Sequence, residues 1–348
     1  MIRILVLLLL PFVAQAEPVR VASFNAELGR KGPGLLLRDI RRDDPQVQAV
    51  IDVLTATAPD VLALQGIDWD HDNLALSALA DRLRAAGLDY PHLFAGQPNS
   101  GLMTSLDLDG DGERGGPGDA QGWGRFTGNG GLAVLSRYPI AKDEVRDLSA
   151  LLWKDLPGAT LPTLGGLPFP SEQAHAVQRL SSTAHWIVPV ETPQGRLNLM
   201  TFHATPPVFD GPEDRNGLRN RDEIRLWSVL LDGGLGPAPK SRFIIAGDAN
   251  LDPNLGEGRN EAIRDLLQHP NLQDPRPVDG AGSAVTVVWK AVGERRVDYL
   301  LPSVDWVVEN AGIQWTDAKD APLAAASKAS RHRLIWVDLS HPDMPPGL

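Results

Sequence analysis

The chain has 348 residues, 43% of them hydrophobic, no cysteine and a formal net charge of −11. That apolar content supports a core without disulfides, so a small cystine-stapled scaffold is excluded. The acidity weighs against a protein that grips nucleic acid through an excess of lysine and arginine, and favours a small or diffusing substrate.

The first sixteen residues carry one basic residue, Arg3, an apolar run over Ile4–Val13 broken by Pro11, and Ala14-Gln15-Ala16 before Glu17. This is the pattern of a secretory signal and is too short to span a bilayer. Residues 1–16 are therefore set outside the fold, and an exported product, periplasmic or extracellular, is expected. Its loss of Arg3 makes the remainder more acidic still. No linker, repeat, transmembrane run or low-complexity segment divides residues 17–348, which read as one domain.

Val19–Asn25 is the first expected strand, with Asn25 and Glu27 two apart and so on one face of its end. Asp44-Pro45 starts a helix whose apolar face is Val47, Val50, Ile51 and Leu54, and Pro59 stops it. Val61–Gln65 is a buried strand that runs out at Gly66-Ile67-Asp68. A second helix, capped near Asp72, turns Leu76, Leu79 and Leu83 inward and ends at Gly87. Asp107, Asp109 and Asp111 alternate before Gly112, as in the opening of a calcium loop. The twelfth position is Gly118 rather than glutamate, so a solvated acidic loop and a structural calcium site both fit.

Gly130–Ile140 is a strand, and the proline-rich stretch Leu151–Glu172 is a surface excursion. Thr183–Pro189 and Arg196–Phe202 pair through Gln194-Gly195, the second strand delivering His203. Asn216–Leu231 and Glu257–Gln268 are helices. Arg215, Arg219 and Arg221 near the first read either as a basic strip or as a solvated helix face. Between the two helices lies a buried strand, Phe243–Ala246, which breaks at Gly247-Asp248-Ala249-Asn250. Alternation puts Asp248 and Asn250 on one side of that strand end, where a carboxylate and an amide can hold a metal or a water. Val297–Leu301 carries Asp298 inside an apolar run. Trp306–Trp315 and Leu334–Leu339 are the last strands, the latter preceded by Ser330-Arg331-His332.

Asn25 in SFNAE, Gln65 in LALQ, Gly131–Ile140, His203 in MTFHAT, Asp248 and Asn250 in GDAN, Asp298 in RRVDYLL and His332 in SRHRLIWVDL form one ordered series. In that order, over Val19–Leu339, the chain resembles the endonuclease/exonuclease/phosphatase superfamily. The resemblance implies an α+β fold, a four-layer α/β/β/α sandwich of two mixed β-sheets as in deoxyribonuclease. It also implies hydrolysis of a phosphate mono- or diester with a divalent cation: magnesium, manganese or calcium. Asp248 would align or deprotonate the water, Asn250 hold it or a phosphoryl oxygen, and Asp298 orient the imidazole of His332. His203 would contact the phosphate or the leaving group. Metal ligands are expected among Asn25, Glu27, Asp68, Asp248, Asn250 and His332, and phosphate contacts at Asn25 and Arg331.

Two positions depart from the family pattern. The glutamate after LQ, its main metal ligand, is Gly66 here, and the aspartate between Ser and His is Arg331. Arg331 is expected to pair with Glu27 or Asp68 while still offering donors to a phosphoryl oxygen. The leading reading is an exported phosphoesterase with a modified metal site. The alternative is a ligand-binding or scaffold protein that has lost catalysis on the same fold, with a secreted nuclease subordinate to both.

Overall fold

Two mixed sheets form the centre of the computed structural model, which describes residues 17–314 and 328–342. The signal pattern at 1–16 and Trp315 lie outside the described residues. The first sheet takes β1 (Val19–Asn25), β2 (Val61–Ile67), β3 (His92–Phe94) and β4 (Gly131–Ser136). The second takes β5 (Arg146–Asp147), β6 (His185–Thr192), β7 (Gly195–His203), β8 (Phe243–Asp248) and β9 (Asp298–Pro302). The chain then returns to the first sheet with β10 (Val307–Gln314) and β11 (Leu334–Ser340). The spatial orders are β10-β11-β1-β2-β4-β3 and β9-β8-β7-β6-β5. Each sheet has a central parallel pair, β1 with β2 and β8 with β7, flanked by antiparallel neighbours.

Strand alternation sorts the apolar residues into three layers. Ala22, Phe24, Leu62 and Leu64 face α1 (Leu35–Arg41), α2 (Pro45–Thr57) and α3 (Leu74–Ala85). Phe243, Ile245, Met200 and Phe202 face the opposite side, against α5 (Arg215–Leu231) and α6 (Glu261–Leu267), with the short α4 (Glu172–Val177) nearby in sequence. Between the sheets lie the residues of the other parity, among them Val19, Val21, Ala63, Leu199, Ile244, Ala246, Leu300 and Val337. Helices, sheet, sheet and helices thus make the expected four layers.

The helix signals differ in detail from their sequence reading. Asp44 caps α2 as expected, accepting from the amides of Gln46 and Val47 with Pro45 behind it. The α3 N-cap position is Asn73, next to the expected Asp72, but the side chain that accepts from Leu74 N and Ala75 N is that of Asp70. The helix expected from Glu257 begins only at Glu261, because Gly256 and Gly258 hold left-handed φ values of 86° and 109°. Among the described residues, no helix is long and apolar enough to cross a membrane.

Candidate active site

The polar cluster is the continuation of the inter-sheet core at one end of the strands. Counting in twos from Val19 and Val21 reaches Asn25, and counting from Ile244 and Ala246 reaches Asp248. Leu199 leads likewise to His203, and Leu300 back to Asp298. Register then brings the ends together: Asp248 lies opposite Asp298 across the antiparallel pair and opposite His203 across the parallel one. Asn25 closes the gap between the sheets, its Nδ2 donating to Asp248 Oδ2 at 2.9 Å.

Around this link the other groups converge. His332 Nδ1 lies 3.0 Å and 3.2 Å from the two Asp298 oxygens and 3.7 Å from Asp248 Oδ2. His203 Nε2 is 3.4 Å from Asp248 Oδ2 and 3.3 Å from Asn250 Nδ2. Asp248 and Asp298 are fully buried and His332 nearly so. Burial alone would lower the His332 pKa, but the carboxylates of Asp298 and Asp248 outweigh it and push the imidazole up to about 9. Asp298 is raised by burial, opposed by the charge of His332. For His203 burial prevails over Asp248 and the pKa falls, so this imidazole is neutral at pH 7. The His203 Nδ1 is buried with no hydrogen-bond partner.

Asn250 and Glu27 reach the cluster by a different route from the straight strand expected for them. Each strand ends two residues earlier, at Asp248 and Asn25, and Asn250 and Glu27 adopt left-handed φ values of 50° and 49°. Asp248 Oδ1 accepts from Asn250 N at 2.7 Å, and Asn25 Oδ1 accepts from Glu27 N at 3.2 Å, so each sheet contributes the same side-chain-capped turn. Asn250 Nδ2 then donates to Ala204 O at 2.9 Å beside His203.

Asp68 does not join the group, contrary to the expectation of a metal ligand there. Its carboxylate accepts from Arg30 N (2.7 Å), Gly130 N (2.8 Å) and Asn129 Nδ2 (3.1 Å), tying together the loops beside β1, β2 and β4. Arg331 pairs with the first of its two expected partners. Glu27 accepts from Arg331 N and Nε, each at 2.7 Å, and from Nη2, with Ser330 Oγ at 3.0 Å. Burial raises Glu27, but these donors outweigh it and leave the carboxyl below its ordinary range. Gly66 has φ +75°, and a Cβ there would lie 2.5 Å from Asn25 Oδ1 and 3.0 Å from Glu27 N. The register of β2 against β4 shifts at the same residue. A side chain at 66 would therefore require the Asn25 amide and the backbone at Glu27 to move.

These contacts decide which cation positions fit. Between the ends of β1, β2 and β11 the residues do not fit a divalent ion, since position 66 offers no ligand and the Glu27 carboxylate is engaged by a guanidinium. At the second position, ligating atoms of Asp248, Asp298 and His332 lie within 4.8 Å of one another: two carboxylates that suit a hard divalent ion, and an imidazole that joins them only after losing its proton. In the acidic loop the converging carboxylates are Asp107, Asp109 and Asp119. Asp111, expected to be the third, instead accepts from Glu113 N at 2.8 Å.

The arginines of α5 form neither a basic strip nor a solvated face. Arg219 is buried, donating to the carbonyls of Leu180, Arg179, Ser181 and Gln121. Arg215 donates to Leu108 O, and Arg221 to Thr160 Oγ1 and Asp222. Beside them Asn220 Nδ2 reaches both Thr205 O and Ala249 O at 2.7 Å, and Glu223 accepts from Thr205 N and Ser182 N. The loops that follow His203 and Asp248 are thereby fixed to one helix.

Several supporting residues carried no motif. Thr286 Oγ1 accepts from Asp298 N at 3.1 Å and Val297 N at 2.9 Å, and the Trp289 ring meets His332 edge-on at 5.9 Å. Both come from a segment and hairpin over 286–295 whose sequence shows no spacing signal. Ser330 was adjacent to a recognised motif: its Oγ lies 2.7 Å from Asn25 O and accepts from His332 N.

A profile of the Endonuclease/Exonuclease/phosphatase family matches residues 22–332. Among solved structures, the chain is similar to an endonuclease/exonuclease/phosphatase from Beutenbergia cavernae DSM 12333, with TM-score 0.58 and 18% identity over 95% of this chain and 73% of that one. It is similar to the human Nocturnin catalytic domain with bound sulfate, with TM-score 0.51 and 16% identity over 94% of each chain. Beta toxin from Staphylococcus aureus with bound magnesium ions gives TM-score 0.50 and 14% identity over 92% of this chain and 99% of that one. At such identities the likeness is one of fold. No curated protein matches the chain.

Proposed function

Because the chain belongs to the endonuclease/exonuclease/phosphatase family, we propose that it is an exported hydrolase of phosphate esters whose reaction centre is the Asp248 cluster. The observation that carries the reading is His332 bracketed by Asp298 and Asp248, with Asp248 held across the sandwich by Asn25. Attack of water on phosphorus needs an acceptor for the water proton and positive charge or donors for the phosphoryl oxygens and the leaving group. Asp248 is the acceptor. His332, kept cationic by its two carboxylates, stabilises the charge that develops on phosphoryl oxygen. His203 and Asn250, the more exposed members, contact the incoming ester and its leaving group. A divalent ion held by the carboxylates of Asp248 and Asp298 would polarise a phosphoryl oxygen and acidify a water, and it would gain His332 as a ligand only once that imidazole had lost its proton.

Acidic composition and the arginines of α5, which are engaged by carbonyls and side chains of the chain itself, favour a small or diffusing mono- or diester over nucleic acid. Export rests on the pattern at 1–16 and corresponds to a periplasmic or extracellular location. The test is a panel of generic phosphate mono- and diesters offered to the purified mature protein, with chelator and with magnesium, manganese or calcium restored. Turnover abolished by Asp248→Ala and by His332→Ala is expected. Ester binding without turnover under every ion would replace this reading by the ligand-binding one, which Gly66 and Arg331 favour.

A further inference from the structure

We infer that the guanidinium of Arg331 occupies the role of the cation that the family resemblance puts between the ends of β1, β2 and β11, so that this end of the site binds a phosphate oxyanion without an ion. The inference rests on the phosphate-ester reading of the site and adds to it a specific anion subsite. Three observations combine. Gly66 removes the ligand side chain, and in its backbone conformation a Cβ would fall 2.5 Å from Asn25 Oδ1. Glu27, the carboxylate left at this position, is engaged by Arg331 N, Nε and Nη2 and by Ser330 Oγ. The Arg331 side chain remains 63% exposed, and no bond among the described residues engages its Nη1.

These facts give the pair a division of labour. Glu27 fixes one edge of the guanidinium, much as a carboxylate would fix a metal, and the Nη1 edge is left to donate to an incoming oxyanion in the two-pronged geometry that arginine and phosphate share. The position is coupled to the reaction centre by a short series of bonds. Arg331 holds Glu27, Glu27 N donates to Asn25, and Asn25 donates to Asp248, while His332 follows Arg331 directly in the chain. A divalent ion entering here would meet a permanent like charge and a carboxylate already shared, which disfavours it on both counts. An arginine does not acidify water as a metal does, so proton removal stays with the Asp248 cluster.

Calorimetric titration of inorganic phosphate into the mature protein in chelator tests the inference without any turnover. Binding is expected in the wild type, weaker by about tenfold or more in Arg331→Ala and Arg331→Gln, with thermal midpoints confirming that both fold. In an Asp109→Asn background, which removes a carboxylate from the separate acidic loop, magnesium should raise the melting of Arg331→Asp, where a carboxylate joins Asn25 and Glu27, by more than it raises that of the parent, whose only other candidate position among the described residues is the Asp248 cluster. Phosphate binding lost in chelator and restored by magnesium would overturn the inference, as would absent binding or equal binding by Arg331→Ala. Phosphate binding that follows this pattern in a protein with no esterase activity would leave the inference standing and refute the hydrolase reading alone.

Discussion

Asn25→Asp converts the bond between the sheets into a measurable pH dependence. The native amide donates to Asp248 Oδ2 at 2.9 Å, with Asn25 only 5% and Asp248 0% exposed. The substitution keeps the shape and leaves Oδ1 free to accept from Glu27 N, but it sets two carboxylate oxygens against each other. If both stayed ionised, their repulsion at an effective dielectric constant of ~20 would be roughly 6 kcal/mol. Holding one of them protonated at pH 7 costs less, about 4 kcal/mol for a group whose unfolded pKa is ~3.9. Protonation therefore prevails, and one pKa of the folded pair rises above its unfolded value. Stability is then retained below the unfolded pKa and lost as the pH rises towards the folded one. Urea unfolding should show a deficit against wild type of about 4 kcal/mol at pH 7 and about 1.5 kcal/mol at pH 5. Asn25→Ala should show a deficit with little pH dependence. Equal deficits of Asn25→Asp at both pH values, or one under about 1 kcal/mol at pH 7, would refute the placement of Asn25 against the Asp248 carboxylate.

Asp298→Asn removes the nearest counter-charge of His332, so its imidazole, monitored by NMR, should titrate well below the native value of about 9, and hydrolysis should fall by about 10²-fold or more. A signal that still titrates near 9 would show that Asp298 does not set the charge of His332. His185 is buried and its pKa is lowered by burial to about 3, with Nε2 at 3.0 Å from Glu223 O. Its contribution is present above the unfolded value of ~6.5 and is lost as pH falls, by about 2 kcal/mol at pH 5. His185→Gln should flatten this part of the acid profile, and parallel wild-type and variant profiles would exclude it. Calcium should raise the thermal midpoint if Asp107, Asp109 and Asp119 hold it, and Asp109→Asn should abolish the shift. No shift in the wild type would leave the loop to its own hydrogen bonds.

The core of the site was readable because strand phase is conserved along a chain: an apolar run such as Phe243–Ala246 announces which face the next polar residue takes. That reasoning placed Asn25 and Asp248, while His203 and Asp298 were named through the family resemblance; all four continue the inter-sheet layer. It failed where the backbone left the strand. Glu27 and Asn250 swing through left-handed turns set by the side chains of Asn25 and Asp248, so a period of two no longer applied to them. Asp68 was misread because backbone amides compete for a carboxylate, and nothing in sequence shows which loop will supply them. Arg219 was misread because charge suggests solvent, whereas four main-chain carbonyls satisfy this guanidinium indoors. The pairing of Arg331 with Glu27 was legible as one of two choices, and the bulge at Gly66 accompanies the geometry that selects it.

The buried polar face of α5 has a consequence for hydrogen exchange. The amides of Ser182 and Thr205 are hydrogen-bonded to Glu223, and the carbonyls of Thr205 and Ala249 to Asn220, although all lie beyond the strand ends in connecting segments. Connecting segments ordinarily exchange their amide protons by small local openings. Here such an opening would expose the buried carboxylate of Glu223 or strip Asn220 of both acceptors, so the Ser182 and Thr205 protons can leave only when α5 itself detaches from the sheet. The rim that flanks His203 and Asp248 therefore belongs to the same slow cooperative unit as the Trp227 and Leu230 packing beneath it.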